Sequence, residues 1–537
     1  MSRKSSKTKS QPPVSATRVS LTFWLILAVV VLLFLFVWTT RSVEPLGMDQ
    51  GLFATFGQEV LDGELPYRDV WDSKPPAILY TYPLAYLLFG RTPDSIWLFE
   101  GIWLLATALA AFGLARRLWG SAEGLAAATL TLVGLWAPGF GGYWGRAQAE
   151  EFLALWLLLA AWMALKAEGR IVWALLAGFF CGLAGLYKVP AMALCAAWPI
   201  YWWASTRRGA LVRTVLMGFG AAAVWVGAWL WFALHGASAE FVEAVFRYNT
   251  YYAGIIAQGK SLGGVLVSQC TTLATAIPTA LIAGLAGFVL LGIDRRKDLY
   301  FVGPWFLLLF LAVTAQRQLA GYHFLLIVPA LALSAGYGLT ALLRRAKDRS
   351  TAMRRVAQLV VVVLGMTTIW EIGEWNAEYA KDAAHRFGRM ERAEYLQSFG
   401  GGAFSPAGEE AAAEYIKAHS EPSDTVLVWG LSPGIYALSQ RKPATRYPFH
   451  HLLLTNSPLS SAFPDLQQRR KAFMERLKAK SPAVILVGSG DRNGFEPEDS
   501  YTQMVRFPEF RAFLFGGYEE QEAIGRFRVF LAKNGIE

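Results

Sequence analysis

The sequence predicts an α-helical multi-pass membrane protein of about eleven transmembrane helices, followed by a C-terminal soluble α/β domain. Three observations carry that prediction. Hydrophobic residues make up 54% of the 537-residue chain and charged ones only 17%, with a mean hydropathy of +0.34, a balance rare in a soluble protein of this size. Charge-free apolar runs recur between short basic turns. Beyond about residue 372 the composition changes, with charges, His and Pro among short β-rich and helical segments.

The elements follow in order. Arg3, Lys4, Lys7, Lys9 and Arg18 stand among Ser and Thr, which makes residues 1–20 a cytoplasmic tail. Residues 21–40 carry no charge, and at 1.5 Å per residue they cover roughly 30 Å of hydrocarbon. The rival reading is a signal peptide, but Trp38-Thr39-Thr40-Arg41 does not resemble a small-x-small cleavage site. A retained anchor is therefore expected. Further apolar runs lie at 94–115, 123–138, 151–165, 171–187, 189–204, 212–234, 265–293, 300–315, 323–343 and 356–372. A cytoplasmic N-terminus then places Arg116 and Arg117, Lys166 and Arg170, Arg207, Arg208 and Arg213, Arg295 to Lys297, and the cluster Arg344 to Arg355 in cytoplasmic turns. The opposite turns are poorer in Lys and Arg, so the positive-inside rule gives one consistent orientation. The net charge of +10 is thereby spent on membrane turns, and a nucleic-acid partner is excluded. An odd number of crossings divides the chain into a transmembrane domain at 21–372 and an extracytoplasmic, periplasmic domain at 373–537 of an inner (plasma) membrane protein.

Within the tail, 425–429 and 483–487 read as buried strands, 409–418 and 466–478 as amphipathic helices, and 511–514 with 525–531 as a terminal hairpin. Gly488-Ser489-Gly490 is too short for a phosphate loop. Cys181, Cys195 and Cys270 lie in or beside apolar stretches and read as small buried side chains, against a disulfide framework or a zinc site.

The segment richest in chemistry is the first outer loop, 41–93. It concentrates carboxylates, bases and aromatics just beyond a helix, where a plain interfacial loop with Trp and Tyr anchors is the alternative. Residues 52–61 have apolar positions at helical spacing, as in a short helix lying in the interface plane and holding Asp49 near the headgroups. Asp49-Gln50-Gly51, then Gly63-Glu64-Leu65-Pro66-Tyr67-Arg68-Asp69-Val70-Trp71-Asp72-Ser73-Lys74-Pro75-Pro76, then Leu88-Phe89-Gly90, resembles the opening of the GT-C superfamily of membrane glycosyltransferases. That superfamily includes protein O-mannosyltransferases, the aminoarabinose transferases of lipid A, and galacturonic acid and mannose transferases of bacterial envelopes. The resemblance extends over about 21–343, through Arg116-Arg117-Leu118-Trp119-Gly120, Arg146-Ala147-Gln148-Ala149-Glu150, Gly185-Leu186-Tyr187-Lys188-Val189-Pro190, and Gly321-Tyr322-His323-Phe324 with Pro329. Gln50 departs from the family, many of whose members carry a second acidic residue there. A divalent cation on an Asp-Glu pair is therefore an open question.

The resemblance implies transfer of a sugar from a polyprenyl-phosphate carrier to an envelope acceptor (lipid, polysaccharide or protein) on the outer face of the bilayer, with inversion at the anomeric carbon. An inverting transfer needs a carboxylate to take the acceptor proton, and Asp49 is the matching position. It also needs cations for a phosphate that gains negative charge, for which Lys188, Arg68, Lys74, Arg317 and His323 are candidates. Glu150, Arg146, Asp69 and Tyr322 complete the set. Each has a plainer alternative: Lys188 as a snorkelling lysine, Arg317 and His323 as interfacial groups, Arg146 as a partner of Glu150, and either Glu150 or its neighbour Glu151 turned into protein. The run Tyr248-Asn249-Thr250-Tyr251-Tyr252 is expected to be an aromatic interface belt. A transporter or flippase of a lipid-linked saccharide is the competing class, but its ionisable groups would lie near the bilayer midplane, whereas here the span centres are almost charge-free. A ligase moving a whole glycan from a lipid diphosphate differs only in its donor. The C-terminal domain is expected to bind the acceptor or act as a lid, without a catalytic group.

Overall fold

The computed structural model describes residues 21–318, 320–347, 351–401, 404–494 and 496–533. The cytoplasmic tail expected at 1–20 lies outside them. Helices dominate the N-terminal two thirds. Five are long and apolar enough to cross a membrane: Phe23–Arg41, Pro93–Leu118, Ala210–Leu234, Lys297–Gln316 and Thr351–Arg386. A sixth crossing arises if Leu262–Ala276 and Pro278–Asp294 count together, although the pair bends by 110°. The break falls at Pro278, which lacks the N–H needed to continue the first helix. Shorter apolar helices, Pro76–Phe89, Ser121–Leu135 and Trp173–Tyr187, complete the body with Ala149–Lys166 and Val328–Arg345.

Two apolar runs differ from their expected form. Residues 189–204 are a 3₁₀ turn, Val189–Ala196, leading into the short helix Ala197–Ser205, because Pro190 stands where a continuous helix would need a donor. Pro76–Phe89, expected as part of an outer loop, is a helix opened by Pro at its first position. Helices in this body approach closely where small residues face each other. A Cβ on Gly178 would strike the backbone of Met217, and one on Gly220 that of Leu175, so Trp173–Tyr187 and Ala210–Leu234 pack backbone to backbone.

The C-terminal region holds one five-stranded sheet, β1 (Thr425–Trp429), β2 (Lys442–Pro443), β3 (Val484–Gly488), β4 (Tyr518–Glu520) and β5 (Phe527–Ala532), in the order β2-β1-β3-β5-β4. β1 runs parallel to β2 and β3, and β5 antiparallel to β3 and β4. β3 is buried at every position, as its unbroken apolar run requires of a central strand. The expected strand at 511–514 is instead inside the helix Pro508–Gly517: Phe510 and Leu514, four apart, are buried on one face, and β5 pairs with β4.

The two regions are stitched together over the first outer loop. Thr55 Oγ1 donates to the Pro433 carbonyl at 2.8 Å, Gln58 Nε2 to that of Ala437 at 2.8 Å, and Trp71 N to that of Arg446 at 2.7 Å. The helix Met48–Leu61 is consequently buried along nearly its whole length. This corrects the expected helix in the interface plane. Its apolar residues face protein on one side and the C-terminal region on the other, and Gly51 lies so near Gly434 that a Cβ would come within 2.6 Å of the Gly434 Cα.

Candidate active site

Asp49 occupies the first turn of the helix Met48–Leu61, where the helix dipole favours a carboxylate. Its Oδ1 accepts from Lys74 Nζ at 3.0 Å, and its Oδ2 from Gln148 Nε2 and Tyr322 Oη, each at 3.3 Å. Three distant segments thus converge on one side chain. Lys74 is placed by a braced loop: Tyr67, in the left-handed region at φ 71°, donates its hydroxyl to the Lys74 carbonyl at 2.8 Å, and Asn249 Nδ2 donates to that of Ser73 at 2.6 Å. The Lys74 ammonium also lies 3.5 Å from Asp72 and 5.0 Å from the Phe53 ring centroid. Burial alone would lower its pKa, but Asp49 and then Asp72 more than offset this and hold it above the usual lysine range. Burial pushes the Asp72 carboxyl up, with Lys74 partly offsetting it.

A second charged group stands beside the first. Lys188, just past the helix Trp173–Tyr187, is ion-paired with Glu150, and His323 Nε2 lies 3.6 Å from the same carboxylate. His323 Nδ1 is 3.1 Å from the Gln318 carbonyl, an arrangement that suits a proton on Nδ1. Both groups border one cavity of about 890 Å³. Leu52, Val189, Val245, Phe246 and Ile256 form apolar walls, and Leu431, Phe449, His451, Leu459 and Glu496 reach it from the C-terminal region.

Of the residues singled out from sequence, Asp49, Lys74, Glu150, Lys188, Tyr322 and His323 meet on this cavity. Four do not. Arg146 is buried away from it, bonded to Glu44 at 2.8 Å, to Glu100 and to the Arg41 carbonyl at 2.6 Å, with its guanidinium over Trp97. These partners saturate it, and burial without them would be prohibitive. Arg68 pairs with its neighbour Asp69 at 2.7 Å on the surface, and Asp69 also caps the Leu65 N–H. Arg317, in the left-handed region at φ 50°, binds the carbonyls of Ala257 and Lys260. Of the adjacent acids, Glu150 faces the cavity and Glu151 accepts from Ala147 N inside the protein.

Some cavity residues escaped the sequence reading. Asp72 and Gln148 stood inside the quoted motifs, but nothing in their spacing distinguished them from neighbours. His451 and Glu496 come from a region with no helical or strand periodicity to orient them. In the run 248–252, expected as an aromatic belt, Tyr248 is buried between Trp71 and Phe463, with ring centroids 5.1 Å away on each side, and its hydroxyl donates to the Leu459 carbonyl. Leu459 and Phe463, from the C-terminal region, cover Tyr248. The donor set does not suit a divalent cation: the Lys74 ammonium already stands between Asp49 and Asp72, and Gln50 turns its amide to the carbonyls of Tyr143, Trp144 and Arg146.

The comparisons with known proteins agree with this architecture. The sequence model of the family described as dolichyl-phosphate-mannose-protein mannosyltransferase matches residues 73–232. No curated protein sequence matches the chain. Among solved structures, ArnT from Cupriavidus metallidurans bound to undecaprenyl phosphate superposes with a TM-score of 0.58 at 17% identity, covering 96% of this chain and 99% of ArnT. Its apo state gives 0.56 at 17% identity, over 95% and 98%. The oligosaccharyltransferase of Archaeoglobus fulgidus in the apo form gives 0.51 at 12% identity, over 95% of this chain and 75% of that one. The chain shares the fold of these ArnT and oligosaccharyltransferase structures.

Proposed function

We propose that this protein is an inverting glycosyltransferase that moves a sugar from a polyprenyl-phosphate carrier to an envelope acceptor on the outer face of the membrane. The observation that carries the reading is the meeting of one carboxylate, Asp49, and two lysines, Lys74 and Lys188, on a single cavity with apolar walls. Such a cavity suits a ligand that is part hydrocarbon and part phosphate, and the ArnT structure that shares this fold was solved with undecaprenyl phosphate bound.

The chemistry assigns each group a task. Lys74 and Lys188 hold the carrier phosphate and stabilise the charge it gains. Moving to the phosphate takes Lys74 off Asp49, and the freed carboxylate accepts the acceptor's O–H proton. The acceptor oxygen bonds to the anomeric carbon as the carbon–oxygen bond to phosphate breaks, with its electron pair remaining on the phosphate. The products are the glycoside and the polyprenyl phosphate. Tyr322 and Gln148, which donate to Oδ2, keep the carboxylate oriented.

Asp49→Asn keeps the shape and removes the basicity. The purified variant is expected to fold, to bind undecaprenyl phosphate, and to lose on the order of 10²-fold or more in transfer rate from a polyprenyl-phosphate sugar. Near-normal turnover would remove Asp49 from the role of base, and a wild-type protein that moves the lipid-linked sugar across vesicles without transferring it would be a transporter.

A further inference from the structure

Three polar side chains in the cavity, His451, Asn493 and Glu496, come from the C-terminal region and have no task in the mechanism above. After β2 the chain runs through Arg446-Tyr447-Pro448-Phe449-His450-His451 into the turn His451–Leu453. His451 stacks on Phe449 with ring centroids 4.4 Å apart, and its ring lies 6.1 Å from Trp71 and 6.2 Å from Tyr248. It borders the cavity and makes no hydrogen bond to another described residue. Burial, then His450 and Lys74, drive its pKa well below the ordinary histidine value, so a neutral imidazole with one donor and one acceptor remains.

Glu496 borders the same cavity from the loop that follows β3. That loop is pinned where Asp491 accepts from Ser500 N at 2.8 Å and from its hydroxyl at 2.5 Å. Asn493 and Glu496 close a tight turn, with Glu496 N donating to Asn493 Oδ1 at 3.0 Å and Asn493 N to the Glu496 carbonyl at 3.1 Å. Glu496 is only 3% exposed. Its Oε2 accepts from Asn493 Nδ2 at 3.3 Å and lies 3.8 Å from His450 Nε2, while its Oε1 accepts from no described residue. That leaves Oε1 able to accept from a ligand in the cavity.

We propose that His451 and Glu496 form the sugar subsite of the cavity, hydrogen-bonding hydroxyls of the saccharide carried on the polyprenyl phosphate. The inference rests on the transferase reading and deepens it by placing the donor sugar against the C-terminal region. A sugar ring offers adjacent hydroxyls that donate to a carboxylate and exchange hydrogen bonds with an imidazole, and its C–H face suits aromatic rings such as Phe449 and Tyr248. The donor sugar is favoured over an acceptor sugar because both side chains border the cavity that Lys74 and Lys188 also line, and the donor sugar is covalently joined to the phosphate these lysines would hold.

The test uses the full-length protein in lipid nanodiscs, with Kd measured for bare undecaprenyl phosphate and for undecaprenyl phosphate carrying glucose, mannose or galactose. Wild type should bind at least one sugar-bearing carrier more tightly than the bare one. His451→Asn and Glu496→Gln should each weaken that sugar-dependent gain by roughly tenfold while leaving affinity for the bare carrier unchanged. Glu496→Gln conserves shape, so it reports on recognition where His451→Asn disturbs folding. No gain in wild type with any of the three sugars, or a gain retained in both variants, would overturn the proposal. So would an effect confined to the KM of a saccharide acceptor. Failure of wild type to distinguish undecaprenyl phosphate from phosphatidic acid would instead remove the transferase reading itself, and this proposal with it.

Discussion

Lys74 and Lys188 rest on carboxylates, Lys74 on Asp49 and Asp72 and Lys188 on Glu150, so a phosphate bound by them as proposed would share or displace these partners. The pair at Lys188 is the more informative one to cut, because Glu150 is almost completely buried. On the proposed reading, Lys188→Ala would remove a phosphate ligand and strand a buried anion facing the same phosphate, two effects of one sign. Affinity for undecaprenyl phosphate should fall on the order of tenfold or more, and the thermal midpoint should fall too. Adding Glu150→Gln should restore the midpoint but not the affinity, which separates the two effects. Unchanged affinity in Lys188→Ala would leave only a snorkelling lysine. At this scale the residues whose motif pairs a charge with a helix end, Asp49, Lys74 and Lys188, are ones the structure brings to one cavity. Arg146 lies off the cavity, and in sequence an arginine in an outer loop looks the same whether it faces a ligand or, as here, is enclosed by Glu44 and Glu100.

The helix Met48–Leu61, which carries Asp49, meets the C-terminal helix Gly434–Ser439 through two glycines with no room for a side chain between them. Two acids flank this seam. Glu59 lies on the first helix, and Glu409 on Pro406–Ala418, near Gly434. Burial pushes each up to about 8; Lys442 is the main offset at Glu59, and a hydrogen bond from Ser432 at Glu409. Since the folded pKa lies above the unfolded value of 4.5, the folded state keeps protons that the unfolded chain gives up. The resulting stability is complete below pH 4.5, declines above it and is lost as the pH rises through about 8. The thermal midpoint of wild type should therefore fall between pH 6 and pH 9, and Glu409→Gln, an amide in place of the neutral acid, should flatten part of that fall. An identical pH profile in the variant would show that Glu409 is ionised in the fold. Such a seam was invisible to periodicity, which finds an apolar stripe but not its partner. β1 and β3 were legible because buried strands read as unbroken apolar runs, whereas 511–514 misled because four apolar-rich residues suit either a strand or one turn of helix.

Over the whole molecule, charge separates into two ends. Away from the cavity, Arg344 pairs with Glu123 at 2.5 Å, Arg345 with Asp294 at 2.7 Å and Lys297 with Glu168 at 2.9 Å, and Trp119 donates to Asp298 at 2.8 Å. These contacts gather turns that follow helices far apart in sequence: the one after Pro93–Leu118, the one after Ala149–Lys166, the one between Pro278–Asp294 and Arg296–Gln316, and the end of Val328–Arg345. All are the turns that the sequence marks as basic. The cavity and the C-terminal region lie at the other end, joined by bonds such as Thr55 to Pro433, which spans 378 positions and leaves no trace in local sequence. That is why a helical membrane body with an α/β tail could be read from the sequence, and why the residues by which the tail meets the cavity could not. Lys and Arg are retained on the cytoplasmic side when short turns are inserted, so the gathered basic end should be cytoplasmic and the cavity with the C-terminal region outside. A phosphatase active only outside the cytoplasm, fused after Glu537, should then be active, and a reporter that works only in the cytoplasm should be silent there. The same phosphatase fused after Arg208, in a basic turn, should be silent, which guards against leakage. Activity of the cytoplasmic reporter after Glu537 would invert the orientation and put the cavity on the wrong side for an outer-face transfer.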